Sequence, residues 1–375
     1  MSKTTRIRLI IVAIVASAIV LTVKFWPKAT KPALEVNLQN TTGISDGPYI
    51  FLNKEDAQVK WVINDSAYTH TLLASDDIRI NSDVDYTFNI DELTTLLTAV
   101  PAQFSNVENI AVLSDIHGQY DLFIRLLKAN HIIDATGNWH FKKGHLVIIG
   151  DAFDRGDKVT ETLWHIIKLS EQAHQAGGRV HYLLGNHDVM VLNADLRYIN
   201  DKYTAVEQVS HHSYDQLFGP QTLMGEWLRA CPVVLKINDI VFNHAGLSME
   251  MVRHNLSIKA INTTFAEQVI DNHRDSTRAS EHLSLLARSN GPIWYRGYFK
   301  DTTLTNTHID SILNHFEANQ IVVGHTSMEQ IEVLFDKRIL AADTSIKKGE
   351  NGELLLIEDE HYYRAGLDGE KQLLW

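Results

Sequence analysis

Five short segments of the sequence carry oxygen and nitrogen ligands of the kind that bind first-row metal ions. Each pairs an Asp, Asn or His with a nearby Gly, which lets the backbone approach a ligand closely at a tight turn. Carboxylate, carboxamide and imidazole groups without a thiolate favour Mn, Fe, Zn or Co over a structural zinc cage. The segments are Asp-Ile-His-Gly (115–118), Gly-Asp-Ala-Phe-Asp-Arg-Gly (150–156), Gly-Asn-His-Asp (185–188), Asn-His-Ala-Gly (243–246) and Gly-His-Thr (324–326).

Taken singly, each segment has an ordinary explanation, because Asp-x-His is common on surfaces and Gly-Asn-His can be a turn with Asn in the left-handed region. Most of the 19 histidines are expected at the surface or in satisfied core positions. All five segments nevertheless share one property, which is that each follows a short apolar run. Functional sites of α/β folds assemble where strands end, so we expect the five segments to converge.

The elements that must position these segments are predicted from apolar patterning. The five apolar runs are predicted strands, at residues 110–114, 145–150, 180–185, 239–243 and 320–324. Helical spacing at residues 122–128 and 159–171 separates the first three, and this alternation favours parallel pairing in an α/β fold. Residues 189–230 and 255–286 are longer helical stretches and candidate caps over the site, and residues 354–363 are a predicted strand–turn–strand.

The five segments together resemble those of the calcineurin-like metallophosphoesterases. Residues 115–121 and 150–156 resemble the phosphoprotein phosphatase family, and residues 189–198 and 291–297 are similar to its bacterial Shewanella-like branch. The resemblance covers roughly residues 107–365. It implies a metallophosphatase α/β fold, with a central β-sandwich of two mixed sheets flanked by helices.

Carried over position by position, the resemblance implies a site for two metal ions, Mn, Fe or Zn. The implied metal ligands are Asp115 and His117 for the first ion, Asp151 for both, and Asn186, His244 and His325 for the second. His187 would be the general acid, oriented by Asp154. Arg155 and Asn186 would contact the substrate phosphate. Arg296 is the preferred second phosphate clamp, and Arg288 is the weaker candidate because it falls just before the 291–297 match.

Two positions depart from the family pattern but spare the implied ligands. Ser114 stands where the family has Gly, and Asp188 stands where it has Glu. The shorter acid puts in doubt an ion pair that the Glu makes in eukaryotic members.

The resemblance implies hydrolysis of phosphate monoesters by direct attack of a metal-bridging hydroxide. Two metal ions suit this chemistry because they neutralise the phosphoryl oxygens and lower the pKa of bound water. We expect a protein phosphatase acting on phosphotyrosine or phosphoserine/threonine. Trp294 and Tyr295 offer either an aromatic wall for a phenyl ring or ordinary core packing. The alternatives are a dinucleoside polyphosphate or phosphodiester hydrolase and, of a different class, an inactive membrane-tethered metal-binding protein.

The amino terminus has the pattern of a membrane anchor. Residues 9–23 are uncharged, and Arg8, Lys24 and Trp26 flank them. This stretch is shorter than the ~20 residues of a typical membrane helix, but snorkelling basic side chains and an interfacial Trp extend the span. We predict a signal-anchor at residues 1–26 with the rest exported to the periplasm. The alternative is secretion after cleavage at Ala-Ser-Ala (16–18).

Charge divides the chain in the same way. The formal net charge is -12, but six of the 34 basic residues lie in the first 31 positions, leaving 28 basic and 46 acidic residues and a net charge of -18. Such an acidic body excludes sequence-independent nucleic-acid binding. The single cysteine, Cys231, excludes an internal disulfide and a cysteine-based metal site. We predict a linker and small β-rich extension at residues 27–106 and a catalytic domain at 107–375.

Overall fold

A computed structural model describes residues 31–97, 101–272 and 274–375. The strands are β1 (Leu34–Asn37), β2 (Asp46–Leu52), β3 (Asp56–Ile63), β4 (Ser66–Leu73), β5 (Asp77–Asn81), β6 (Asp85–Asn89), β7 (Gln103–Phe104), β8 (Asn109–Leu113), β9 (His145–Ile148), β10 (Arg179–Tyr182), β11 (Val234–Ile237), β12 (Ile240–Asn243), β13 (Gln320–Val323), β14 (Glu332–Leu334), β15 (Ile339–Ala341), β16 (Leu354–Glu358), β17 (His361–Ala365) and β18 (Lys371–Leu373). The helices are α1 (Ile90–Leu97), α2 (Tyr120–Ala129), α3 (Val159–Gln175), α4 (Asn186–Leu192), α5 (Asp201–Ser210), α6 (Tyr214–Leu217), α7 (Leu223–Ala230), α8 (Met249–Arg253), α9 (Ile258–Thr264), α10 (Arg274–Ala279), α11 (Glu281–Ala287), α12 (Gly297–Lys300) and α13 (Asn306–His315), with a π-helical turn at Phe265–Val269 and a 3-10 turn at Ile346–Lys348.

The predicted signal-anchor at residues 1–26 lies outside the described ranges. Within those ranges, no helix combines the length and the apolar character needed to span a bilayer.

Two six-stranded sheets form the centre of the fold. Their strand orders are β10-β9-β8-β16-β17-β18 and β14-β15-β13-β12-β11-β7. Strands β8, β9 and β10 are parallel, as their alternation with α2 and α3 predicts, whereas β16 runs antiparallel to β8. Both sheets are therefore mixed, and the predicted metallophosphatase α/β fold is confirmed.

Side-chain alternation along β8 explains how the sheets pack. Ile110 and Val112 lie in an apolar layer that also contains Phe242 of the second sheet, so the two sheets share this face. Ala111 and Leu113 point the other way and join the larger core beneath the helices. Both faces of the strand are buried, which is why its sequence is a continuous apolar run.

The amino-terminal extension forms two small sheets, with strand orders β1-β5-β6 and β2-β3-β4. Both sheets pack on helix α3 of the catalytic domain. Trp164 of α3 donates a hydrogen bond to the Pro48 carbonyl at 3.1 Å and stacks on Phe88 with 5.0 Å between ring centroids. Strand β7 pairs with β11 of the second central sheet. That sheet therefore includes Gln103–Phe104, which precede the predicted start of the catalytic domain at residue 107.

The long helical stretches contribute to the wall of the site. Residues 186–230 form α4 to α7, and residues 249–287 form α8 to α11 with the π-helical turn. Ile258, Ile261, Phe265 and Val269 are buried, as their shared face predicts. Val269 also lines the pocket over the predicted metal ligands.

Candidate active site

The six predicted metal ligands meet at one edge of the central sheets. Each is held by a loop at the carboxyl end of a strand: Asp115 and His117 follow β8, Asp151 follows β9, Asn186 begins α4 after β10, His244 follows β12, and His325 follows β13. The exposed fraction of each residue is 5% or less. The convergence expected from the sequence is thus present in the fold.

The loops that carry these side chains have an unusual backbone. Six residues of the site have φ between 48° and 71°, namely Asp115, His117, Asp151, Asp154, Arg155 and His325. This left-handed conformation costs about 1–2 kcal/mol for a residue with a Cβ, and such strain is concentrated at functional sites. Gly150 permits a close approach of two backbone segments, because a Cβ there would lie 2.3 Å from the Gly185 amide nitrogen.

The first group of ligand atoms surrounds the His117 imidazole. His117 Nδ1 lies 2.6 Å from the Phe153 carbonyl, which can only accept a hydrogen bond, so this nitrogen carries the proton. Burial lowers the pKa of His117 to about 3. Nε2 therefore presents a lone pair, and it faces Asp115 Oδ1 at 3.9 Å and Asp151 Oδ2 at 3.6 Å. A lone pair facing two carboxylates fits a metal ion bound between them.

The second group of ligand atoms shares Asp151 with the first. His244 Nδ1 lies 2.7 Å from the Ile149 carbonyl, which orients Nε2 toward Asn186 Oδ1 at 3.0 Å and Asp151 Oδ2 at 3.3 Å. Suitable atoms of Asp151, His244 and His325 lie within 4.8 Å of one another. His325 Nε2 is buried without a hydrogen-bond partner. An unpartnered imidazole nitrogen beside a carboxylate fits a metal ligand.

The pKa values of the site residues reflect a cluster of buried carboxylates and imidazoles. Burial and the nearby carboxylates of Asp343 and Asp151 raise the pKa of Asp115 to about 7. Burial also disfavours the charged form of Asp151, but the imidazoles of His244 and His187 outweigh it and hold this pKa well below its usual range. Burial opposes the charge on His244, yet Asp151 raises its pKa to about 10. The carboxylates around His244 thus favour positive charge at this position.

The predicted general acid is oriented by its predicted partner. His187 Nδ1 lies 2.5 Å from Asp154 Oδ2, and both side chains are buried. Burial lowers the pKa of His187, but Asp151 and Asp154 outweigh it and raise this pKa above the usual value. Because Nδ1 is occupied by Asp154, Nε2 is the atom left for a substrate, and it lies 3.4 Å from Arg155 Nη2.

The loop carrying Arg155 is fixed by the segment that follows α4. The Arg155 amide donates to the Tyr198 carbonyl at 3.0 Å, and Asn200 Nδ2 donates to the Arg155 carbonyl at 2.8 Å. Lys202 Nζ donates to the Asp157 carbonyl at 2.7 Å. Sequence reasoning missed these supports, because residues 195–202 carry no motif beyond the resemblance itself.

The two departures from the family pattern both contribute to the site. The Ser114 hydroxyl donates to Asp115 Oδ2 at 2.5 Å. Asp188 accepts hydrogen bonds from the Tyr182 hydroxyl at 2.8 Å and from the backbone amides of Asp151, at 2.9 Å, and Gly185, at 2.7 Å. The shorter acid thus ties the β9 and β10 loops together.

Asp343 is a functional candidate that the sequence did not indicate. It is fully buried and accepts hydrogen bonds from the Ser327 hydroxyl at 2.7 Å and the Ser345 amide at 3.0 Å. Its charge is one of the causes of the raised Asp115 pKa. Asp343 follows β15, which pairs with β13, and only this pairing brings it near the site.

Both arginine candidates for the second phosphate clamp line the pocket, together with Arg155. Arg296 Nη1 donates to the His325 carbonyl at 3.1 Å and to Thr326 Oγ1 at 3.0 Å. Arg288 is exposed at the end of α11. Arg296 is therefore hydrogen-bonded to the backbone of His325, a predicted metal ligand.

All the predicted ligands except His244 line an open pocket of about 1220 Å³. This volume is above the usual range of roughly 300–1,000 Å³ for a small-molecule site, which leaves room for chain on either side of a phosphorylated residue. Basic side chains of Arg155, Arg197, Lys300 and Lys347 line it, as does the acidic Asp195.

Comparison with known proteins gives the same assignment. A family model for calcineurin-like phosphoesterases matches residues 108–329. Shewanella-like protein phosphatase 1 of Plasmodium berghei is 28% identical over 225 residues, which are 58% of this chain and 60% of the parasite protein. Shewanella-like protein phosphatase 2 of Arabidopsis thaliana is 30% identical over 100 residues, which are 27% of this chain and 26% of that protein.

A solved structure matches over nearly its whole length. The cold-active protein-tyrosine phosphatase of a psychrophilic Shewanella species is 38% identical, with a TM-score of 0.83 over 88% of this chain and 99% of the other. These matches confirm the resemblance seen in the motifs. The chain belongs to the calcineurin-like phosphoesterase family, in the Shewanella-like branch of the phosphoprotein phosphatases.

Proposed function

We propose that this protein is a metal-dependent phosphomonoesterase that removes phosphate from phosphoproteins. The observation that carries the proposal is the convergence of two buried ligand groups on Asp151, one through His117 and Asp115 and one through His244 and Asn186. The His187–Asp154 pair adjoins them, and His187 and Arg155 line the same pocket. The names of the relatives support it. Those names describe the other proteins, and for this chain the activity is our proposal.

The residues present fit two metal ions. Asp115, His117 and Asp151 would hold one, and Asp151, Asn186, His244 and His325 would hold the other, as the resemblance implies. Ions bound there supply positive charge against the phosphoryl oxygens and a route to ionised water at neutral pH. We propose Mn, Fe or Zn, because the donor set mixes imidazole with carboxylate oxygen.

The chain's own residues would position the substrate and move the proton. Arg155 presents a planar guanidinium that can donate two hydrogen bonds to phosphate, and Nη2 lies 3.4 Å from His187 Nε2. A phosphate held by Arg155 therefore places its ester oxygen within reach of that imidazole. His187 Nε2 would donate the proton that the leaving oxygen needs, while Asp154 holds Nδ1 and stabilises the imidazolium.

We propose phosphotyrosine as a substrate, with phosphoserine and phosphothreonine as the competing class. The similarity to the cold-active protein-tyrosine phosphatase of a Shewanella species supports the first. The pocket volume supports a peptide rather than a small metabolite.

We also propose that residues 1–26 tether the protein to the membrane with the catalytic domain in the periplasm, or that cleavage releases it. The support is the uncharged stretch at residues 9–23 and its basic flank. Resistance of the full chain to carbonate extraction, together with digestion by protease in intact spheroplasts, would support the tether. A soluble periplasmic product shortened near residue 18 would support cleavage.

The activity is tested with the purified full chain in detergent. The protein is stripped with a chelator, restored with Mn, Zn or Fe separately, and assayed on matched phosphotyrosine, phosphoserine and phosphothreonine peptides. Restored release of phosphate from a peptide supports the proposal. Faster hydrolysis of bis(p-nitrophenyl) phosphate or of a dinucleoside polyphosphate than of any peptide would replace it.

A further inference from the structure

We propose that Tyr198 is the specificity-determining residue for aryl phosphates, by forming the wall against which a phosphotyrosine ring packs. The inference rests on the proposed phosphatase function and adds to it the residue that distinguishes phosphotyrosine from phosphoserine. No motif assigns a role to this side chain.

The position of Tyr198 relative to the general acid carries the argument. The His187 imidazole contacts two rings: His117 is 4.7 Å away and edge-on, and Tyr198 is 5.4 Å away and tilted by 54°. His117 is a predicted metal ligand. Tyr198 is not, and it lines the pocket beside His187.

Tyr198 is held in this position although it is exposed. Arg197 forms two hydrogen bonds to Asp195, at 2.6 and 2.8 Å, and its guanidinium lies 5.4 Å from the centroid of the Tyr198 ring. The Tyr198 carbonyl accepts the Arg155 amide at 3.0 Å. The Tyr198 backbone is thus held by the phosphate clamp, and its ring contacts the general acid.

The exposed ring of Tyr198 presents an aromatic face to the pocket. Tyr198 is 48% exposed, and of the large apolar side chains that are strongly exposed in the described ranges, it is the one that lines the pocket. An aromatic ring beside a catalytic group offers a face for another ring, and such pairs have centroids about 4.5–7 Å apart.

The aromatic residues named from the sequence are placed differently. Tyr295 is 8% exposed and packs edge-on against Tyr298, with centroids 5.1 Å apart, as a core residue. Trp294 lies edge-on to His325 at 5.9 Å, on the side of the second ligand group. Both residues line the pocket, but among the described ring contacts His187 pairs with His117 and Tyr198 and not with Trp294 or Tyr295.

Substrate chemistry converts this geometry into selectivity. His187 must reach the leaving oxygen, and in phosphotyrosine that oxygen is bonded directly to the aromatic ring. The substrate ring therefore lies within contact distance of His187 and Tyr198. In phosphoserine the same oxygen carries a single methylene group, which is too small to cover the Tyr198 face.

The test compares Tyr198→Ala and Tyr198→Phe on phosphotyrosine and phosphoserine peptides of otherwise identical sequence. For Tyr198→Ala we expect kcat/KM on the phosphotyrosine peptide to fall about tenfold and that on the phosphoserine peptide to stay within about twofold. Tyr198→Phe keeps the ring and should retain the phosphotyrosine preference. The inhibition constant for inorganic phosphate should not change, because phosphate has no ring.

Three results would overturn the proposal. Equal losses on the two peptides, or a weaker inhibition by phosphate, would mean that Tyr198 only supports Arg155. A changed peptide preference in Trp294→Ala but not in Tyr198→Ala would assign the wall to Trp294. If the wild-type protein hydrolyses neither peptide, the proposed function itself fails, which is a distinct outcome because it is seen before any variant is made.

Discussion

Replacing Lys202 by Met should destabilise the fold strongly, because this lysine is the cation of a buried cluster that joins the amino-terminal extension to the catalytic domain. Its ammonium nitrogen lies 2.8 Å from Asp46 Oδ1 in β2 and 3.2 Å from Glu161 Oε1 in α3. The side chains of Lys202, Asp46 and Glu161 are 15%, 0% and 19% exposed. Burial lowers the pKa of Lys202, but Asp46 and Glu161 outweigh it and raise this pKa, so the group is charged.

The magnitude follows from the carboxylates that the substitution leaves behind. Removing one partner of a buried ion pair costs about 3–5 kcal/mol, since the remaining charge loses its compensation. At roughly 2–4 °C per kcal/mol, this corresponds to a fall in Tm on the order of 10 °C. Urea and thermal unfolding followed by circular dichroism would measure it.

A matched control is Lys371→Met, which breaks the partly exposed pair with Glu358. Such a pair is worth about 0–1 kcal/mol. The combined change Asp46→Asn, Glu161→Gln and Lys202→Met removes all three charges together and should recover much of the lost stability. Equal losses in Lys202→Met and Lys371→Met would refute the reasoning.

Three further predictions follow from the site and its supports. His187→Ala should lower kcat on a phosphoserine peptide about 10²–10⁴-fold and lower it less on p-nitrophenyl phosphate, whose leaving group needs a proton less; equal losses would contradict the role of general acid. Asp188→Ala leaves buried donors unpaired and should reduce the unfolding free energy by about 3 kcal/mol, with Asp188→Asn milder; equilibrium unfolding decides, and a loss below about 1 kcal/mol would count against it. Burial and Asp46 raise the Glu161 pKa to about 7, above its unfolded value, so stability should fall as pH rises from about 4.5 to about 7. Glu161→Gln should flatten this dependence of the unfolding free energy on pH. An unchanged slope in the unfolding curves would show that other groups cause it.

The convergence of the candidate ligand segments could be predicted because the signal for each is local. A short apolar run followed at once by Asp, Asn or His marks a strand end, and parallel strands β8, β9 and β10 bring those ends together. The same reasoning predicts that both faces of β8 are buried. Patterning within a few residues was therefore enough to place the segments and to give the fold class, whereas the role of each residue rests on the resemblance.

The supports of the site could not be predicted, because they depend on contacts between distant segments. Asp343 reaches the site only through the pairing of β15 with β13. Lys202 lies in a stretch predicted only as helical, and its partner Asp46 comes from the amino-terminal extension. Tyr198 is an exposed aromatic in the same stretch, and its contact with His187 distinguishes it from an ordinary surface residue.

We propose that Asp151 joins two metal ions at a phosphatase site. The most direct test measures the metal content and the hydrolysis of a phosphotyrosine peptide by the full chain and by Asp151→Asn after restoration with Mn. We predict about two ions per wild-type chain, activity that disappears on chelation and returns with metal, and an Asp151→Asn protein that is folded, holds fewer than one ion and is inactive. An Asp151→Asn protein with wild-type metal content and turnover, or a wild-type protein fully active without metal, would contradict the account.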